Sequence, residues 1–159
     1  GLEPGAMRLA LFEPDIPQNT GAILRLAACM GVGVDVIEPC GFVWTDRHLR
    51  RSGMDYLDQV DLVRHASWPA FRAARPPGRL VLLTTSGSRS PWNYTFAPDD
   101  VLLLGRESAG VTPEVLAAAD ATLRIPMRAP ARALNVALAA TLVLGEALRQ
   151  TQLIPDDRS

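Results

Sequence analysis

Short continuous apolar runs recur along this chain and are separated by longer stretches of helical spacing. The runs are Met7–Phe12, Val34–Ile37, Leu80–Thr85, Val101–Leu104 and Thr122–Ile125, with a weaker one at Leu57–Arg64. Runs without alternating polar residues predict strands covered on both faces, which is the habit of parallel sheets. Between them, Pro14 and Pro17 force a loop, and Asn19 or Thr20 is expected to cap a helix reaching Met30. Gly31 closes that helix as a left-handed residue. Thr45–Arg51 predicts a short basic helix, and Trp68–Arg75 another, stopped by Pro76, Pro77 and Gly78. Pro113 opens a helix at its favoured first position, and Leu134–Gln150 forms the last and longest. Strands alternating with helices predict an α/β fold, a mostly parallel sheet with helices on both faces.

Composition narrows the class. A chain of 159 residues, 48% apolar, suits one domain with a full core. The net charge of −1 supplies no global positive field, so any nucleic-acid contact uses local basic patches. Cys29 and Cys40 are too few for a disulfide framework or a zinc site, and both read as buried thiols of a reducing cytoplasm. Residues 1–6 have neither a basic start nor an apolar run and read as a tag or disordered leader before Met7. The stretch Leu134–Leu148, broken by Asn135, Thr141 and Glu146, is too short for a membrane span. The expected organisation is a single domain over residues 7–150, with a flexible tail at 151–159.

Parallel α/β sheets bind ligands beyond the C-terminal ends of their strands, so three loops carry the candidate chemistry. Thr84–Ser88, around Gly87, offers small hydroxyl residues and close backbone approach, or is an ordinary turn. Gly105-Arg-Glu-Ser-Ala-Gly110 is not a phosphate loop, because Val111-Thr112 follows where Lys-Ser/Thr is required. Its glycines shape a strand-to-helix turn around Glu107, which is either a site residue or a local cap or ion pair. The third loop, Ile125 to Asn135, is stiffened by Pro126 and Pro130 and flanked by Arg128 and Arg132, and Asn135 falls in the first helical turn. Arg47, Arg50 and Arg51 share a helical face near Trp44 and Tyr56, a basic and aromatic set suited to RNA or simply a solvated surface. His48 and His65 are isolated, and no metal-ligand spacing is present. Arg25, amid Ile23, Leu24, Leu26 and Ala27, is the odd residue: either a functional cation or one half of a buried ion pair, with Glu107 a possible partner.

Taken in order, Glu13-Pro-x-x-Pro17-x-Asn19-x-Gly21-x-x-x-Arg25, Pro39-x-Gly41-Phe42, Leu49-Arg50-Arg51-x-Gly53-x-Asp55-Tyr56, Gly105-x-Glu107-x-x-Gly110, and Ile125-Pro126-Met127 with Leu134-Asn135-Val136 resemble the SPOUT superfamily of RNA methyltransferases. The resemblance runs from Met7 to about Gln150. It is strongest to the short branch of tRNA wobble-nucleotide 2′-O-methyltransferases (TrmL, YibK).

The resemblance implies a C-terminal deep trefoil knot, a cytoplasmic homodimer and no metal. The cofactor is S-adenosylmethionine, leaving as S-adenosylhomocysteine. It implies Arg25, Asn19, Glu107 and Asn135 as catalytic residues. The cofactor would be held by Leu83, Thr84, Gly87, Gly105, Glu107, Gly110, Ile125, Met127, Ala133 and Leu134. Arg47, Arg50, Arg51, Tyr56, Arg128 and Arg132 would meet the tRNA anticodon stem-loop. The related ribosomal RNA enzymes, or an RNA-binding protein of the same fold with weak turnover, are the competing functions. Ala133, Leu138 and Gly145 stand where this family usually has Ser, a polar residue and an aromatic.

Overall fold

The computed structural model describes residues 6–45, 47, 49, 57–74, 78–131 and 133–157. Six parallel strands form one sheet: β1 (Arg8–Phe12), β2 (Gly33–Ile37), β3 (Leu62–His65), β4 (Leu80–Leu83), β5 (Val101–Leu104) and β6 (Ala121–Leu123). Their spatial order is β3-β2-β1-β5-β4-β6. The chain therefore builds outward from β1 on one side, then crosses to build the other half. Helices α1 (Pro17–Met30), α2 (Trp68–Ala74), α3 (Pro113–Ala118) and α4 (Val136–Thr151) cover the two faces, with 3₁₀ turns at Leu57–Gln59 and Pro91–Asn93.

The continuous apolar runs split by residue parity into two cores. Leu9 and Leu11 of β1, Val81 of β4, and Leu102 and Leu104 of β5 face α1 and α4. Ala10 and Phe12, Leu80 and Leu82, and Val101 and Leu103 face α2 and α3 through Trp68, Phe71 and Val115. This is the period-2 geometry of a strand buried on both sides.

The sequence expectations shift at several ends. α1 begins at Pro17, with Ile16 before it and no side-chain cap. Proline at the first position presets the helical φ, and the Asn19 side chain is engaged elsewhere. The stretch Leu57–Arg64 is a 3₁₀ turn followed by β3, not one strand. Asp61, just before β3, instead takes a 2.6 Å hydrogen bond from Arg8. β4 stops at Leu83 and β6 at Leu123. Asn135 precedes the last helix instead of lying inside it, and that helix runs on through Thr151 into the expected tail. Cys29 is exposed and Cys40 half-buried. Burial and Glu38 push the Cys40 thiol up to about 11. Of the expected basic helix, only Thr45, Arg47 and Leu49 lie within the described residues.

One polar network is buried in the sheet. Arg8 Nε donates to Asp35 Oδ2 at 2.8 Å, and His65 Nε2 meets Asp35 Oδ1 at 2.8 Å. His65 is thus a partnered core residue. Gly33 leaves room for the Arg8 guanidinium, since a Cβ there would stand 2.2 Å from Nη1.

Candidate active site

A cleft of about 800 Å3 opens where the C-terminal ends of β4, β5 and β6 meet the starts of α1 and α4. Its size falls within the roughly 300–1,000 Å3 typical of small-molecule sites. Its position is the one parallel α/β sheets use, outside the carboxyl edge of the strands.

The wall after β5 is the Gly105–Gly110 hairpin. Arg106 and Gly110 exchange backbone hydrogen bonds at 3.0 and 2.9 Å. Gly110 has φ +63, and a Cβ on Gly105 would approach the Gly110 carbonyl carbon to 2.8 Å. Both glycines are therefore needed to close the turn, which presents Glu107 to the cleft.

Glu107 ends a ladder of amides. Asn135 Oδ1 accepts from the Ala137 and Leu138 amides and so caps α4. Asn135 Nδ2 then donates to Asn19 Oδ1 at 2.8 Å, and Asn19 Nδ2 donates to Glu107 Oε1 at 3.2 Å. Three segments far apart in sequence are thereby tied into one rim. Burial, and after it the neighbouring Asp15 carboxyl, push the Glu107 carboxyl above its ordinary value.

After β4, Thr84 continues the sheet by donating its amide to Leu123 O at 2.9 Å. The segment then folds over the end of β6, where Arg124 N donates to Arg89 O at 2.8 Å. Gly87 sits at this crossing. A Cβ there would stand 2.3 Å from the Leu123 carbonyl carbon and 2.6 Å from Arg124 N. Its missing side chain is required by the chain passing beneath it, and Gly87 does not line the cleft.

The expected site residues divide accordingly. Leu83, Thr84, Gly105, Glu107 and Gly110 line the cleft from two strand ends. Ile125, Met127, Ala133, Leu134 and Asn135 line it from the third loop, and Asn19 from α1. Arg25 does not line it and lies on the exposed side of α1. Arg47 and Arg128 are exposed. Arg50, Arg51, Tyr56 and Arg132 lie outside the described residues. No group of three His, Cys, Asp or Glu suited to a metal ion is found among the described residues.

Sequence reasoning missed Asp15 and Ser108. Asp15 Oδ1 accepts from the Glu107 amide at 3.1 Å, and Oδ2 accepts from the Ser108 amide at 3.3 Å and from the Ser108 hydroxyl. Asp15 also fills the space beside Gly41, where a Cβ would come within 2.6 Å of the Asp15 Cβ. The available signal was positional: an acidic residue in the loop that follows β1, between Pro14 and Pro17.

Comparisons with known proteins agree on one family. The family model described as SpoU rRNA Methylase family matches residues 6–145. A tRNA (cytidine(34)-2′-O)-methyltransferase of Beijerinckia indica is 61% identical over 144 residues, covering 89% of this chain and 90% of that protein. A structure reported under structural insights into the 2-OH methylation of C/U34 on tRNA superposes with TM-score 0.86 at 41% identity, covering 93% of this chain and 97% of that one. The AviRb methyltransferase of Streptomyces viridochromogenes, in complex with the cofactor AdoMet, superposes with TM-score 0.79 at 31% identity, covering 94% of this chain and 62% of that one. A match of that extent, on a parallel sheet with its cleft at the carboxyl edge, makes this chain a member of the SpoU rRNA Methylase family.

Proposed function

We propose that this protein is an S-adenosylmethionine-dependent tRNA 2′-O-methyltransferase that methylates the ribose of the wobble nucleotide, giving Cm34 or Um34. The observation that carries this reading is the 61% identity to a tRNA (cytidine(34)-2′-O)-methyltransferase across nine-tenths of both chains. That identity, against 28% to an AdoMet-bound rRNA methyltransferase of Sinorhizobium meliloti, favours it over a ribosomal RNA substrate.

The cleft fits the cofactor on its own terms. Leu83, Ile125, Met127 and Leu134 offer apolar walls for an adenosine, and the hairpin closed by Gly105 and Gly110 exposes backbone at close approach. When bound, S-adenosylmethionine supplies an electrophilic methyl group on a sulfonium. Thr84, Ala133 and the amides around them hold its polar parts. Asn19, Glu107 and Asn135 orient the reacting ribose beside it, as the hydrogen-bonded ladder ties their amide and carboxyl groups together. Gly87 serves this site indirectly, through the crossing it permits.

Arg25 acts as a fixed cation. Its guanidinium holds its proton, so it is no general base. It forks onto substrate phosphate and stabilises the oxygen as the 2′-hydroxyl gives its proton to solvent water. Its place outside the cleft of its own subunit favours a site completed across a homodimer. An apolar strip on α4 supports that assembly, because Leu138 is 58% and Leu142 44% exposed beside α1. Arg47, Arg50, Arg51, Tyr56, Arg128 and Arg132 meet the tRNA. The C-terminal trefoil knot belongs to the same reading, and the wrap of residues 84–89 over Leu123 and Arg124 supports it. No helix among the described residues is long and apolar enough to cross a membrane, and a cytoplasmic setting suits the substrate.

The test is one reaction. Purified protein, labelled S-adenosylmethionine and tRNA from cells lacking this protein are combined, and 2′-O-methylated nucleosides are mapped by mass spectrometry. A methylated ribose at position 34 is expected. Cofactor binding by calorimetry without transfer overturns the enzymatic reading in favour of an RNA-binding protein.

A further inference from the structure

One polar atom in the cleft wall remains without a partner. Glu107 Oε2 is buried and accepts no hydrogen bond among the described residues, while Oε1 accepts from Asn19. An orphaned buried oxygen on a charged carboxylate is costly, so it calls for a proton or a donor. The carboxyl beside Glu107 is that of Asp15, which accepts from the Glu107 amide at 3.1 Å. A carboxylate offers about four acceptor positions. Asp15 has three of them filled, by the Glu107 amide, the Ser108 amide and the Ser108 hydroxyl. Those donors favour the anion at Asp15. Glu107 has one donor and less solvent. Two facing carboxyls are both satisfied by one proton between them.

We propose that Asp15 is a positioning residue of the cleft: pinned as the anion by the hairpin's own donors, it keeps the pair's single proton on Glu107, whose hydroxyl at Oε2 donates to it. Glu107 Oε1 is then the carbonyl oxygen that accepts from Asn19. Burial and then Asp15 raise the Glu107 carboxyl, and the hydrogen bond with Glu107, with burial opposing and Ser108 next, holds Asp15 at about 2. The other charged groups around the pair are Glu13 after β1, Arg106 on the hairpin, 3.8 Å from Glu13, and exposed Arg124 on the cleft wall. Among the described residues, α1 and the start of α4 are tied to Glu107 through the neutral amides of Asn19 and Asn135. Resting on the methyl-transfer reading, the consequence is that Glu107, while it holds that proton, is engaged with Asp15 and does not take the ribose proton. It fixes the amide ladder, and the pair carries one negative charge until pH rises through the Glu107 midpoint.

Carbon-13 NMR titration of the side-chain carboxyls in the full chain, without ligand, tests this directly. The wild type should show Glu107 titrating above the ordinary glutamate value. Asp15→Asn should lower that midpoint by about one pH unit or more, because the facing charge is gone. A midpoint at the ordinary value, or one unmoved in Asp15→Asn, overturns the proposal. If Asp15→Asn misfolds, Glu107→Gln is the second probe, since glutamine reproduces the neutral group with a donor toward Asp15. Amide exchange across residues 106–110 should stay as slow as in the wild type for Glu107→Gln and speed up for Glu107→Ala. Equal loss of protection in both overturns the proposal. Neither readout requires turnover, so an absence of tRNA methylation would remove the functional reading while leaving the shared proton to be decided.

Discussion

Arg25 is a permanent cation on the exposed side of α1, one residue beyond the buried pair Ile23 and Leu24. At that place it stands on the solvent side of both apolar cores, and Arg25→Lys leaves those cores intact. Arg25→Lys keeps the charge and loses the planar fork. Turnover on tRNA should fall by about a hundredfold or more, with the melting temperature unchanged, as expected for a surface substitution. Undiminished turnover removes Arg25 from the mechanism. Gly87 behaves oppositely. Gly87→Ala drives a Cβ into the Leu123 and Arg124 backbone, which cannot give way as a flexible side chain would. It should lower thermal stability and cofactor affinity together, as calorimetry would record. Asp15 adds a pH dependence. Its folded value, about 2, lies below that of an unfolded aspartate. Its stabilising contribution is therefore present above the unfolded value and lost as pH falls through about 2. Exchange at the Glu107 and Ser108 amides should stay protected near pH 4 and lose protection toward pH 2.

At the scale of elements, two side chains join what the backbone alone leaves separate. Asn135 caps α4 and also holds Asn19. Asn135→Ala should destabilise the protein by about 1–2 kcal/mol in chemical denaturation, and should weaken cofactor binding as the ladder to Glu107 opens. Asn135→Asp, which keeps the capping oxygen but has no amide donor, should recover most of the stability and not the binding. Arg8, Asp35 and His65 tie β1, β2 and β3 through the buried network. Asp35→Ala leaves the Arg8 cation with one carboxylate fewer inside the sheet. The expected loss is about 3–5 kcal/mol, read as a lower denaturation midpoint, with a larger effect than any single cap.

For the whole molecule, the proposed dimer rests on the exposed leucines of α4 and the proposed tRNA contact on the arginines, so the two are tested separately. Leu138→Glu with Leu142→Glu should convert a dimer to a monomer in sedimentation equilibrium, and should reduce turnover if Arg25 serves the partner's cleft. A monomeric wild type overturns the dimeric site. tRNA affinity should weaken steeply with salt, because each phosphate neutralised contributes a slope of about −0.7 for single-stranded RNA in a plot of log affinity against log salt. A flat plot would exclude the arginines as phosphate contacts.

Local order was legible in the chain because local order has local causes. Continuous apolar runs marked the strands, Gly31 and Pro113 marked helix ends, and the spacing of Gly105, Glu107 and Gly110 marked a closed turn that only glycine permits. Those features depend on residues within a few positions of one another. The tertiary structure decided what distance in sequence hides. It turned Arg25 and Cys29 outward, made His65 a core partner of Asp35, gave Gly87 to a chain crossing, and brought Asp15 against a hairpin 92 and 93 positions away. The physical reason is strand order. With β1 beside β5 and β6 outside β4, the loops after β1, β5 and β6 open on one edge of the sheet. Side chains with no sequence relation to one another then share one cleft.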